Sequence, residues 1–131
     1  MHFWGDASLV RIEQLDTDLQ LVLHEAIQHC PHDISILCGH RDKEDQEDAF
    51  DRGLSNAHFG QSAHNFTPAL GFDFCLYPDA EWDNEDKYKE VWEHIQSIAG
   101  SLGVELVYGG DWSFKDWGHI ELKHWRERTK S

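Results

Sequence analysis

Two stretches constrain this chain more than anything else in it. They are Ser62-Ala63-His64-Asn65-Phe66-Thr67-Pro68-Ala69-Leu70-Gly71-Phe72-Asp73 and Asp116-Trp117-Gly118-His119-Ile120-Glu121. Each pairs imidazole with carboxylate on a short segment. If they serve one site, the fold has to bring them together across everything between. Two His and one Asp form a good three-ligand set for zinc, because catalytic zinc keeps three protein ligands and leaves the fourth position to water. A spare carboxylate beside that water can act as a general base.

The ten histidines need sorting, since most cannot be ligands. His24-Glu25-Ala26-Ile27-Gln28-His29 resembles the helical H-E-x-x-H signature with one residue too many. Five helical steps turn the second ring about 140° from the first, so the pair cannot grip one ion. Both are expected to be exposed. His32 and His94 show no acidic or His partner at useful spacing. His64 and His119 stand apart because each has an Asp close by. Cys30, Cys38 and Cys75 lack C-x-x-C spacing, which argues against a disulfide framework and a thiolate zinc site. Reduced, mostly buried thiols are expected. Cys75, two residues beyond Asp73, shares its strand face and is kept as a minor ligand candidate.

The surrounding pattern is a mixed one. Ile12, Leu15, Leu19, Val22, Leu23, Ala26 and Ile27 lie on one helical face between Ser8 and Cys30, with Asp16 or Thr17 placed to cap a second helix there. Ile34 to Cys38 reads as a strand, and Asp42 to Arg52 as a helix with a thin apolar face of Ala49, Phe50 and Gln46. Leu70 to Tyr77 reads as a buried strand. Asn84 or Asp83 caps a strong helix through Leu102, with Gly103 as its C′ residue. Val104 to Tyr108 and Gly118 to Leu122 complete the strands. Without regular β-α-β alternation, the expected class is α+β, a small antiparallel sheet packed by helices. The 131 residues are expected to form a single domain, 1–131, and a monomer.

Charge excludes some functions. A formal net charge of −14 rules out binding nucleic acid or an anionic membrane through a general basic surface. No apolar run reaches the length of a membrane span, so no membrane insertion is expected. The N-terminus has no basic stretch followed by a long apolar region, so synthesis in the cytoplasm without a signal peptide is expected. Lys123 to Lys130 reads as a solvated end. Asp79 to Asp86 lacks a calcium-loop pattern and reads as a turn with a helix cap. Trp112 and Trp117 flank Asp116 and suit either a cleft wall or the core.

Ser-x-His, then Asp on a short apolar stretch, then Asp-x-x-His, resembles the zinc peptidases that cut peptidoglycan stem peptides. That family includes D-Ala-D-Ala carboxypeptidases, vancomycin-resistance dipeptidases and phage endolysins that split the L-alanyl-D-glutamate bond. Gly39-His40-Arg41-Asp42, with Gln46 a helical turn on, is similar to the family's Gly-Tyr-Arg segment. The three segments fall in the family's order from Ile34 to Leu122. The interval from His64 to Asp73 is longer than the family's usual one, which looks like a loop insertion around Thr67-Pro68. His40 replaces the usual Tyr, and Gly71 stands near a usual Ala.

The resemblance implies a zinc peptidase domain. His64, Asp73 and His119 are then the zinc ligands and Asp116 the catalytic base. Arg41 is the cation that polarises the scissile carbonyl or holds a substrate carboxylate. Ser62 orients the loop or the substrate, and Gln46, Trp117 and Glu121 stand near substrate or ligands. Glu121, two residues along from His119, is a rival base. The partner implied is a peptidoglycan stem peptide. Small size, Asn65 after the His and the compact Asp-Trp-Gly-His segment look most like a phage-type endolysin that acts on the cell wall after release. Cleavage of D-Ala-D-Ala and silent, non-hydrolytic peptide binding are the alternatives. A structural zinc site fits poorly with three ligands, since structural sites have four.

Overall fold

The computed structural model describes residues 2–128. The helical face read between Ser8 and Cys30 is divided, as its internal cap signal predicted. Helix α1 runs Asp6–Ile12 and α2 runs Thr17–Ala26. The Asp16 carboxylate caps α2 by accepting from Asp18 N–H. Strand β1 is Ile34–Cys38 and helix α3 is Lys43–Asp51, capped by Asp42. Strand β2 is Gly71–Leu76. Helix α4, Glu85–Ser101, is capped by Asn84, and Gly103 follows its C-cap with a φ of 76°. Strand β3 is Leu106–Tyr108, β4 is His119–Leu122, and a short α5 is Trp125–Arg128. Strand β3 begins two residues later than the Val104 expected from sequence.

These strands form one antiparallel sheet in the order β1-β2-β4-β3. The chain is therefore α+β. Its core lies where α2 and α4 meet each other and the sheet. Tyr88 of α4 packs on Phe74 of β2, and Trp92 stacks on Tyr108 of β3 at 4.9 Å between ring centroids. Helix α1 lies against β1: Ile36 N–H donates to the Ser8 hydroxyl, and the Arg11 guanidinium donates to the Ile36 carbonyl. Edge backbone that would otherwise invite another strand is thereby occupied. No helix among the described residues is long and apolar enough to cross a membrane.

Two features of the sheet place the site. Strands β2 and β4 are neighbours, and their register sets Asp73 opposite His119. The long interval after His64 does not disturb this. Its end is pinned, with Ala69 N–H donating to Gln14 O and Asp16 N–H donating to Ala69 O. A bulge in β1 between Ile36 and Cys38 then brings Cys38 opposite Asp73.

Three expectations are corrected here. Lys123 to Arg128 is no solvated tail: Trp125 is 4% exposed, and Arg128 pairs with Asp16 at 3.2 Å and Asp18 at 3.0 Å. Residues 129–131 of that stretch lie outside the described residues. His32 does have an acidic partner, supplied from distant sequence, while His94 has only a backbone one among the described residues. His32 meets Glu90 at 2.8 Å, and His94 Nε2 donates to the Ala26 carbonyl at 2.7 Å. Finally, the only residue of α3 that is fully buried is polar, Gln46.

Candidate metal centre

His64 lies in a single helical turn, Ala63–Asn65, capped at Ser62. The Ser62 hydroxyl accepts from His64 N–H, and Asn65 Oδ1 accepts from Ser62 N–H. This capping box fixes the turn that aims the ring inward. Asn65 is 6% exposed and joins the loop to its surroundings: its amide donates to Arg41 O and to Gln46 Oε1. Gln46 also donates to Ser55 Oγ and Ala57 O. Gln46 and Asn65 thus form a polar scaffold behind the loop, and Gln46 does not line the cleft. Asn65 was noted from the sequence only as part of the resemblance to phage-type endolysins and was given no role at the site.

The chemistry of the two imidazoles follows from what each touches. His64 Nδ1 lies 2.7 Å from the Gly39 carbonyl. A carbonyl only accepts, so Nδ1 carries the proton and Nε2 is left with its lone pair. His119 Nε2 lies 2.7 Å from Glu121 Oε1, so Nε2 carries a proton, and in the neutral ring Nδ1 is left with the lone pair. These two lone-pair nitrogens are 3.3 Å apart. Asp73 Oδ1 is 2.8 Å from His119 Nδ1 and 3.3 Å from His64 Nε2. Three electron-pair donors therefore converge on one point, with the outer N–H of each ring already committed. With both rings neutral, a bound cation would satisfy such a point. The donor set of two imidazoles and one carboxylate fits zinc, with a hydrogen-bonded outer partner on each ring.

In the metal-free site the same contacts shift the three groups strongly. Burial pulls the His64 imidazole down, but the Asp73 carboxylate more than offsets it and leaves it pushed up to about 10. Burial would raise Asp73, yet the two imidazoles hold it well below the usual carboxylate range. His119 is likewise raised, burial being outweighed by its bonds to Asp73 and Glu121. The second oxygen of Asp73 accepts from Arg41 Nη2 at 3.3 Å. Arg41 Nη1 donates to Gln46 at 3.1 Å. Arg41 thus pairs with Asp73 rather than with the nearby Asp42 or Asp45; Asp42 instead caps α3.

Asp116 arrives through a tight approach of backbone. Its N–H donates to the Gly109 carbonyl. A Cβ on Gly109 would meet the Asp116 carbonyl at 2.7 Å and His119 Cβ at 3.0 Å. On Gly118 a Cβ would run into the Phe74 carbonyl. These two glycines let the 116–119 segment close on β2. Asp116, Asp73 and His119 each offer a ligand atom within 4.8 Å of the others. Burial, followed by the Asp73 charge, pushes the Asp116 carboxyl up. Glu121 is differently placed. Oε1 accepts from His119 and Oε2 accepts from Trp125 Nε1 at 2.7 Å, so both oxygens are spent on the side of His119 away from Asp73.

A second overlapping group, Cys38, His64 and Asp73, meets the same 4.8 Å criterion. The thiol near the centre is therefore Cys38, half-buried, and not Cys75, which pairs in register with Ser35 farther along β2. The bulge in β1 moved Cys38 to this position, and no sequence spacing signals a bulge.

The centre opens into a cleft of about 1170 Å³. Arg41, Ser62, His64, Asp73, Asp116 and His119 all line it. Trp112 also does, its ring 5.1 Å from that of His119. Trp117 is not on the cleft wall; it packs against Tyr108 and the core.

The sequence model of a family described as phage L-alanyl-D-glutamate peptidase matches residues 1–125. Among solved structures, the Serratia marcescens L-Ala D-Glu endopeptidase ChiX is similar. It is 22% identical, with a TM-score of 0.82, over 99% of this chain and 95% of that one. At that identity the likeness speaks for the fold. No curated protein matches the chain.

Proposed function

The chain belongs to the phage L-alanyl-D-glutamate peptidase family, and from that premise we propose that it is a zinc-dependent endopeptidase that hydrolyses the L-alanyl-D-glutamate bond of peptidoglycan stem peptides. The observation that carries the metal assignment is the convergence of His64 Nε2, His119 Nδ1 and Asp73 Oδ1 on one point facing the cleft. These three residues would hold the ion. Bound zinc supplies a Lewis acid that lowers the pKa of a water from 15.7 toward ~7 and polarises a carbonyl.

The chain's own residues do the rest. Asp116 takes the proton as the water oxygen bonds to the scissile carbonyl carbon. It then delivers that proton to the departing amine as the C–N bond breaks. Its raised carboxyl pKa suits both halves of that task. Arg41 keeps Asp73 ionised and oriented, and presents the rest of its guanidinium to the cleft, where it can meet a carboxylate or a developing oxyanion. Glu121 orients His119 and is the weaker candidate for the base, because each of its oxygens already accepts a bond, from His119 and from Trp125. Ser62 holds the His64 turn.

The test is digestion of purified peptidoglycan followed by mass spectrometry of the fragments. Cleavage between L-alanine and D-glutamate is expected, abolished by a chelator and restored by zinc. Loss of terminal D-alanine alone would instead make the chain a carboxypeptidase. Intact peptides from a zinc-loaded protein would make it a binder without turnover.

A further inference from the structure

Trp125 has a connection that its place in the sequence does not suggest. It sits at the start of α5, 4% exposed, packed on Phe66 at 5.6 Å between ring centroids. Its indole N–H donates to Glu121 Oε2 at 2.7 Å. Glu121 is itself only 9% exposed, and its other oxygen accepts from His119 Nε2 at 2.7 Å. His119 then offers Nδ1 to the point shared with His64 and Asp73. Two short hydrogen bonds, each with a fixed donor, join Trp125 to Glu121 and Glu121 to His119 at the metal centre.

We propose that Trp125 is a positioning residue for the metal centre, fixing Glu121 so that His119 keeps its proton on Nε2 and presents Nδ1 inward. The proposal rests on the zinc reading given above. A carboxylate free to rotate would bond the imidazole from many angles. An indole is rigid, donates one proton in one direction, and accepts none. Satisfying Oε2 with it leaves Oε1 one orientation, along the sheet toward His119. Burial raises the stakes, because an unmatched carboxylate oxygen in a desolvated site costs more than the bond returns in water. Outer partners of this kind are typically worth 10–100-fold in metal affinity.

The chemistry of the chain makes a distinctive prediction. The amide introduced by Glu121→Gln can accept from His119 through its oxygen, but then aims an NH₂ donor at the Trp125 N–H. Two donors face each other. Removing the indole N–H should relieve that clash. Trp125→Phe alone is therefore expected to weaken zinc binding roughly tenfold, the lower end of the range for such partners. Glu121→Gln should weaken it more. The combined variant should bind zinc more tightly than Glu121→Gln alone.

The experiment measures zinc dissociation constants by chelator competition on the full chain and all three variants. Melting temperatures are recorded beside them. ¹⁵N chemical shifts of His119 in the zinc-loaded protein are expected to show metal on Nδ1 and hydrogen on Nε2. A merely structural Trp125 would lower the melting temperature and leave the affinity of the folded protein unchanged. That result, simple additivity of the two substitutions, or metal on Nε2 would overturn the proposal. A wild-type chain that binds no zinc overturns the relay and the metal reading together. A zinc-binding chain that leaves stem peptides intact sinks only the endopeptidase reading.

Discussion

The helix-packed half of the molecule and its polar end are both buried, yet they obey different rules. In the first, Leu19, Val22 and Leu23 of α2 and Val91 and Ile95 of α4 are fully enclosed by other apolar groups. Contact there is plural and non-directional, so neighbours share the loss when one side chain is trimmed. In the second, Gln46, Asn65, His64, His119 and Glu121 are at most 9% exposed, and each is satisfied by named partners in fixed directions. No buried side-chain nitrogen or oxygen among the described residues lacks a partner. Such a network tolerates nothing by averaging, because one lost acceptor leaves one unmet donor. The packed half should therefore fail in stability, and the polar end in metal binding and catalysis.

The sharpest way to break that contrast is at the centre itself. His64→Ala and His119→Ala should each drop bound zinc well below one per chain and remove detectable peptidase activity. Metal analysis after gel filtration checks this, and full zinc in both variants would dissolve the ligand set. Next in size is Asp116→Asn, expected to cost roughly 10²–10⁴-fold in kcat while zinc stays bound. Glu121→Gln should act more through zinc retention than through kcat, and the reverse order would move the base to Glu121. The pH profile sharpens the same point. A base works deprotonated, and burial raises the Asp116 carboxyl. Activity should thus fall as pH drops through a value above that of an ordinary Asp, and Asp116→Asn should erase that limb.

A smaller effect is expected at Arg41. Arg41→Lys keeps the charge but cannot reach Asp73 and Gln46 together. A lost charge-assisted bond of about 1.5–3 kcal/mol corresponds to roughly ten- to hundredfold in kcat/KM, with zinc content unchanged. Steady-state kinetics beside metal analysis reads both. The smallest effect on activity should come from the packed half. Ile95→Ala should lose about 2–5 kcal/mol of stability by denaturant titration. Below its melting temperature it should keep kcat near wild type. A large kcat loss there would mean that the two regions are not separable.

The sequence reading reached unevenly into these two regions. Helix α4 was legible because its apolar residues repeat on one face and Asn84 supplies a cap that accepts from Lys87 N–H, three residues on. His64 and His119 stood out because each had a carboxylate nearby. Asn65 was noted only through the resemblance, and its role was not legible, since its partners at Arg41 and Gln46 come from another segment. Trp125 was read as part of a solvated end because Lys123, Arg126 and Arg128 surround it, while the acceptor that buries it, Glu121, is set by β4. Cys38 was passed over in favour of Cys75 because alternation along a strand is visible in sequence and a bulge is not.

What the sequence determined by itself were the features that live within one helical turn or one strand: caps at Asp16, Asp42 and Asn84, the capped turn at His64, and the apolar face of α4. Those interactions span few residues, so a local window contains both partners. Only the tertiary structure decided which nitrogen of each imidazole faces the centre. His64 is set by the Gly39 carbonyl, 25 residues away, and meets His119 across 55. The register placing Asp73 opposite His119 is a property of two strands together. Hydrogen-bond direction is fixed by the partner's position in space, and for these residues that position exists only once the sheet has formed.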